Sequence, residues 1–86
     1  MIGPGMDRDR AALIFGEILL RHRLQAGLSQ EAMADAANLH RTYIGMIENG
    51  RRLPTILTAW RLAQSLEISF TEFVAEVDAA YRRVDK

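Results

Sequence analysis

Arg41, Thr42 and Met46 stand close to Arg51 and Arg52 in the sequence, and these residue types suit contact with a nucleic acid. An arginine carries a planar fork of donors that fits guanine O6 and N7, a bidentate contact worth about 1–3 kcal/mol of discrimination against a wrong base. Threonine has a hydroxyl and a methyl, so Thr42 can meet a phosphate, a base or the methyl of thymine. Met46 can make apolar contact only. Tyr43 can reach a phosphate through its hydroxyl while its ring packs, and His40 is a further phosphate donor. Asn49, Arg51 and Arg52 follow and can lie along a backbone, while Gln30 precedes them at a point where a side-chain amide and a helix amino terminus can both address a phosphate. Any one of these arginines alone would be an ordinary solvated side chain. Their clustering matters only if a rigid element presents them together.

The stretch Leu28 to Pro54 supplies that element. Ser29 is a good N-cap, because its hydroxyl can take an orphan N–H of a first helical turn. A helix then runs through Glu31, Met33, Ala34 and Ala37, with small or apolar residues along one side. Asn38 tolerates the left-handed conformation that ends a helix and turns the chain sharply. A second helix begins near His40 or Arg41 and stops at Asn49-Gly50, where glycine supplies the residue after the cap. Its inward face is Tyr43 or Ile44 with Ile47, leaving Arg41, Thr42, Gly45 and Met46 outside. Two helices so joined, over about residues 29–49, make a helix-turn-helix whose second helix can meet base edges.

Composition bounds what surrounds this motif. Eighty-six residues make one small domain, expected to comprise residues 9–86 behind a flexible arm of residues 1–8, in which Met6 is a candidate natural start. The 49% apolar content is ample for a helical core and leaves surface for an oligomer contact. No cysteine is present, which excludes disulfides and thiolate metal sites and suits a reducing cytoplasm. No apolar run approaches the roughly eighteen residues of a membrane span, and the first residues lack the pattern of a signal peptide. A cytoplasmic location away from the membrane is therefore expected. His22 and His40 are the only histidines, and there is neither a paired nucleophile and base nor a phosphate-binding glycine loop. Neither an enzyme nor a bound metal or cofactor is expected. The formal net charge is zero, which argues against nucleic acid until its distribution is considered. From Leu39 to Arg61 the balance is +3, and from Leu62 to Ala80 it is −4. A field polarised in this way can steer a phosphate backbone to one face.

The remaining helices frame the motif. Helix 1 is expected from Asp7 or Asp9, whose carboxylates suit the positive end of a helix dipole, to about Ala26, ending at Gly27. Leu13 or Ile14, Phe15, Ile18, Leu19, His22 and Ala26 trace its apolar stripe, with His22 a packing residue. Thr55 caps helix 4, which runs to about Leu66 and buries Ile56, Ala59, Leu62, Ala63 and Leu66. Trp60 either packs in the core or joins Leu57 in a dimer contact. Ser69 with Glu72 is a capping box opening helix 5, over about residues 70–84. Its stripe of Phe70, Phe73, Val74, Val77, Tyr81 and Val84 needs a partner, which a second copy of the chain or helix 1 can provide.

From about Leu13 to Val74 the sequence resembles the Xre/Cro family of helix-turn-helix DNA-binding domains. The resemblance rests on Gly27-Leu28-Ser29-Gln30, Met33-Ala34, Ile44, Ile47-Glu48, Gly50 and Pro54 at the family spacing. Leu39-His40-Arg41-Thr42-Tyr43-Ile44 is especially similar to controller proteins of restriction–modification systems, and the domain is also similar to lambdoid phage repressors. The resemblance implies that Arg23 reaches Glu48 as a partly buried ion pair tying helix 1 to the recognition helix. It implies that Gln30 positions the domain on a phosphate, that Met46 occupies a base-reading position of phage relatives, and that Arg52 matches a base-reaching arginine of controllers. His40 fills a place usually held by Ser, Thr or Asp, and Leu57 one that is usually polar. Minimal family domains stop near Val74, so the stripe beyond it is additional.

The expected fold is all-α, a five-helix lambda-repressor-like domain with an extended last helix. The expected function is sequence-specific recognition of double-stranded DNA by a homodimer on a roughly palindromic operator, as a controller-like or repressor-like regulator. Leu57, Trp60, Val77, Tyr81 and Val84 are its interface candidates. Two other readings stay open. One is an antitoxin or other partner-dependent Xre-type protein, with polymerase or a toxin as protein partner; the other is a helix-turn-helix that binds protein alone.

Overall fold

A computed structural model describes residues 7–84, without the side chain of Val84, as α1 (Arg8–Gln25), α2 (Gln30–Ala37), α3 (Arg41–Glu48), α4 (Ile56–Ser65) and α5 (Phe70–Val84). No strand occurs among these residues. Side-chain caps set most of the helix starts. The Asp7 carboxylate accepts the Asp9 and Arg10 N–H groups at 3.0 and 3.2 Å, Ser29 Oγ accepts that of Ala32 at 3.0 Å, and Thr55 Oγ1 that of Thr58 at 3.2 Å. Ser69 Oγ accepts the N–H of Glu72 at 3.2 Å at the start of α5. Asn38 sits at φ 58°, ψ 49° and so turns the chain from α2 into α3. Helix ends are therefore fixed by local chemistry before tertiary packing acts.

Every helix contributes to one core. Leu19, Met33, Ile44, Ile47, Leu62 and Phe73 are fully buried, and together they come from all five helices. Phe15 meets Phe73 edge to face with centroids 5.1 Å apart. α1 packs against α3 and α5, while α2 packs against α3 and α4. At Gly16 the backbones of α1 and α3 come so close that a Cβ would fall on the carbonyl oxygens of Ile47 and Glu48. This contact fixes how deeply the short α3 sits.

Several elements differ from the sequence expectation. Asp7 caps α1, one of the two starts expected for it, and Arg8, assigned to the arm, is its first residue; residues 1–6, which hold the rest of the arm and Met6, lie outside the described residues. Leu13 and Ala26 are exposed while Ile14 and Phe15 carry the stripe. Ile56 was expected in the core and is 72% exposed, because it occupies the first residue of α4 and projects clear of the neighbours that cover Ala59 and Leu62. Trp60 is half exposed and lies flat on Phe70 at 5.0 Å, outside the core. The stripe of α5 is largely met within the chain. Phe73 is buried, and Val77, Ala80 and Tyr81 pack on the core. Tyr81 Oη accepts the Asp7 N–H at 2.7 Å, and the Arg10 guanidinium lies 3.8 Å over its ring. Tyr81 thus faces α1 and Val77 packs on the core, rather than standing free for a second copy; the Val84 side chain, the remaining candidate on this helix, is outside the described residues.

Polar contacts reinforce the α1–α5 pair. Glu76 accepts from Arg21 at 3.1 Å and is hydrogen-bonded to His22. The hydrogen bond from His22, helped by Arg21, holds the Glu76 carboxyl below the usual carboxylate range although partial burial opposes it. A carboxyl whose folded pKa is lowered contributes stability above its unfolded pKa and loses it as the pH falls through the folded value. Glu76→Gln is therefore expected to lower the melting temperature at neutral pH, with the difference from the parent protein closing below about pH 4. Thermal melts across an acid titration would check this, and a difference independent of pH would contradict it.

Candidate nucleic-acid interface

The recognition helix is held from behind by one carboxylate. Glu48, the last residue of α3, has a side chain only 4% exposed. Its Oε2 accepts from Arg23 Nε at 2.6 Å, and its Oε1 accepts from Arg23 Nη2 at 3.1 Å and from Gln30 Nε2 at 2.9 Å. Arg23 Nη1 also donates to the Leu28 carbonyl at 2.8 Å. One network therefore joins α1, the turn before α2, the first residue of α2 and the end of α3. Arg23 and Glu48, paired by resemblance in the sequence, are in direct bidentate contact. Gln30 stands differently from the expectation of a free phosphate donor. One of its amide N–H bonds is committed to Glu48, leaving the other N–H and the carbonyl for an incoming group.

The outer side of α3 is open. Arg41 and Thr42 are exposed in its first turn, and Met46 is half-buried one turn later. Ile44 and Ile47 anchor the opposite side in the core, so burial decides between the two inward faces left open by the sequence. Tyr43 is half-buried, with the Arg52 guanidinium 5.5 Å above its ring. His40 is the N-cap: Nδ1 accepts the Thr42 N–H at 3.1 Å, which directs Nε2 away from the helix as a donor in the neutral ring. Asn49 caps the far end and is exposed, followed by the exposed Arg51 and Arg52. These two arginines share a polar cleft with Arg8 and Asp9 of α1. Arg8 was missed because nothing local to the sequence relates the start of α1 to the loop after α3. Among the described residues no group of three or more His, Cys, Asp or Glu side chains could hold a metal, and no helix is long and apolar enough to cross a membrane.

A short helix with a buried apolar face, an open face led by arginine and threonine, and a second helix set against it by a tight turn define a helix-turn-helix domain. Comparison with known proteins agrees. Residues 19–73 match the HTH_3 helix-turn-helix family, and the chain belongs to it. It is 35% identical over 65 residues to an HTH-type transcriptional regulator, y4dJ, of Sinorhizobium fredii, covering 76% of this chain and 84% of that protein. It is 41% identical over 56 residues to the control protein C.SmaI of Serratia marcescens, covering 65% and 67% respectively. Among solved structures, the restriction–modification controller protein C.AhdI from Aeromonas hydrophila superposes with a TM-score of 0.70 at 35% identity, over 72% of this chain and 94% of that one. The protein is a DNA-binding transcriptional regulator of the helix-turn-helix type, related to restriction–modification controller proteins.

Proposed function

We propose that the protein reads a specific double-stranded DNA sequence as a homodimer, placing two copies of α3 about 34 Å apart on a roughly palindromic operator. The observation that carries this reading is the exposed pair Arg41 and Thr42 in the first turn of a helix whose other end is locked by the Arg23–Glu48–Gln30 network. Arg41 and Thr42 would specify bases, with Met46 in apolar contact. His40, Tyr43, Asn49, Arg51 and Arg52, with the remaining amide of Gln30, would position the helix on phosphates. The relatedness to controller proteins supports a regulator of this kind, controller-like or repressor-like. For the dimer, Leu57 at 59% and Trp60 at 50% exposure, beside the exposed Ile56, offer an apolar patch on α4 that a second copy would cover.

Selection from a random DNA pool at two salt concentrations tests the reading. Recovery of an inverted repeat is expected. No enrichment, with residual binding lost at modest salt, would sink it. A chain that stays monomeric on that DNA would leave the α4 patch to a protein partner, as in the antitoxin-like alternative. Arg52→Ala is expected to weaken binding to all sequences alike and to reduce the slope of log affinity against log salt by about two for the dimer, about one for each subunit. Titrations at several salt concentrations would show it, and a changed sequence preference with an unchanged slope would move Arg52 from the backbone to a base.

A further inference from the structure

Four glycines fall among the described residues, and the fold accounts for three of them. Gly27 and Gly50 have positive φ, and Gly16 lies where a Cβ would strike the backbone of α3. Gly45 has neither reason. It sits in the interior of α3 with ordinary helical backbone, and the nearest atoms to an added Cβ would be Gln30 Nε2 and Oε1, both at 3.9 Å. That is an ordinary van der Waals contact, so an alanine would fit. Glycine in a helix interior is destabilising relative to alanine, because it loses more backbone freedom on folding. The cost falls on a helix of eight residues that already carries the β-branched Thr42, Ile44 and Ile47. The fold thus bears a penalty at Gly45 with no return inside the chain.

We infer that Gly45 is a specificity-determining position, which acts by leaving a notch in the reading face of α3. The inference rests on the proposal that this face enters the major groove. Thr42 lies one turn before the notch, and the amide of Gln30 forms one wall. The Gln30 amide is held in place by its bond to Glu48, so the wall is fixed. The space left at Gly45 is that of one absent methyl group against the Gln30 amide, so a group of methyl size fits it. In the major groove only one base has such a group, the C5-methyl of thymine. Thymine at one symmetric position of each half-site is the predicted occupant, and a Cβ at residue 45 fills the space its methyl needs.

The test uses the full chain with Gly45→Ala and Arg41→Ala, and the DNA that the parent protein selects. Gly45→Ala is expected to melt at the same or a higher temperature and to bind the selected DNA about tenfold more weakly or worse. Replacing thymine by deoxyuridine at one symmetric position should weaken the parent protein and leave Gly45→Ala unaffected. The deoxyuridine measurement on the parent protein stands whether or not the variant folds. Unchanged binding by Gly45→Ala, or a parent protein indifferent to deoxyuridine at every position, overturns the notch. If Gly45→Ala is harmless while Arg41→Ala is damaging, the notch alone is wrong. If Arg41→Ala is harmless as well, the placement of α3 in the groove is wrong and the notch falls with it.

Discussion

Arg41→Ala is expected to remove most of the preference for the cognate sequence and to leave the melting temperature almost unchanged. The side chain is exposed on the first residue of α3, and no hydrogen bond or ion pair ties it to another described residue. Surface substitutions of this kind usually stay within about 0.5 kcal/mol of the parent stability. On DNA the balance reverses. A bidentate arginine–guanine contact is worth about 1–3 kcal/mol, so two of them in a dimer on a palindrome amount to roughly 2–6 kcal/mol of discrimination. Binding to unrelated DNA should fall much less, because it loses only one positive charge per subunit. Arg41→Lys separates charge from shape: it keeps the charge and loses the planar fork, so it should retain non-specific affinity without recovering specificity. Competition of selected against random duplexes at one salt concentration reads both quantities. Full discrimination by Arg41→Ala would mean that α3 does not read bases through its first turn.

The caps explain why the helix-turn-helix was legible. Ser29, Asn38, Thr55 and Ser69 each act within a few residues of themselves, so the sequence carries their effect directly. Contacts across the chain were less legible. His22 reads as a packing residue on the stripe of α1, and nothing near it in sequence announces Glu76, which lies 54 residues away. Ile56 has the right period for burial, but periodicity gives the face of a helix and not the point along it where the neighbours end. The stripe of α5 demanded a partner and could not name it. An 18-residue α1, about 27 Å long, packs against the 15-residue α5, so Tyr81 meets α1 and Val77 the core within the chain. Gln30 was correctly placed at the start of α2, yet its commitment to Glu48 depends on how two helices approach, which residue types alone do not fix. Arg8 joins Arg51 and Arg52 for the same kind of reason.

The largest expected loss of stability follows from Arg23→Ala. Glu48 is almost wholly buried, and the substitution would leave its carboxylate with Gln30 as its one remaining side-chain partner among the described residues. Breaking a buried pair from one side typically costs about 3–5 kcal/mol. A chain of this length has roughly 4–13 kcal/mol in all, so the variant should be close to unfolding at physiological temperature. At about 4–8 °C per kcal/mol, its melting temperature should fall by some 12–40 °C. Glu48→Gln should cost less, because Arg23 is 11% exposed and keeps its bond to the Leu28 carbonyl. The double variant Arg23→Met with Glu48→Leu separates stability from positioning. Replacing both charges by apolar side chains is often neutral or stabilising, so this protein should recover much of the loss. It should not recover DNA binding, because Gln30 loses its anchor and the end of α3 loses its tie to α1. A folded double variant that binds the selected DNA as tightly as the parent would confine the network to stability. A folded variant that binds weakly would show that the buried pair sets the angle at which α3 meets the groove.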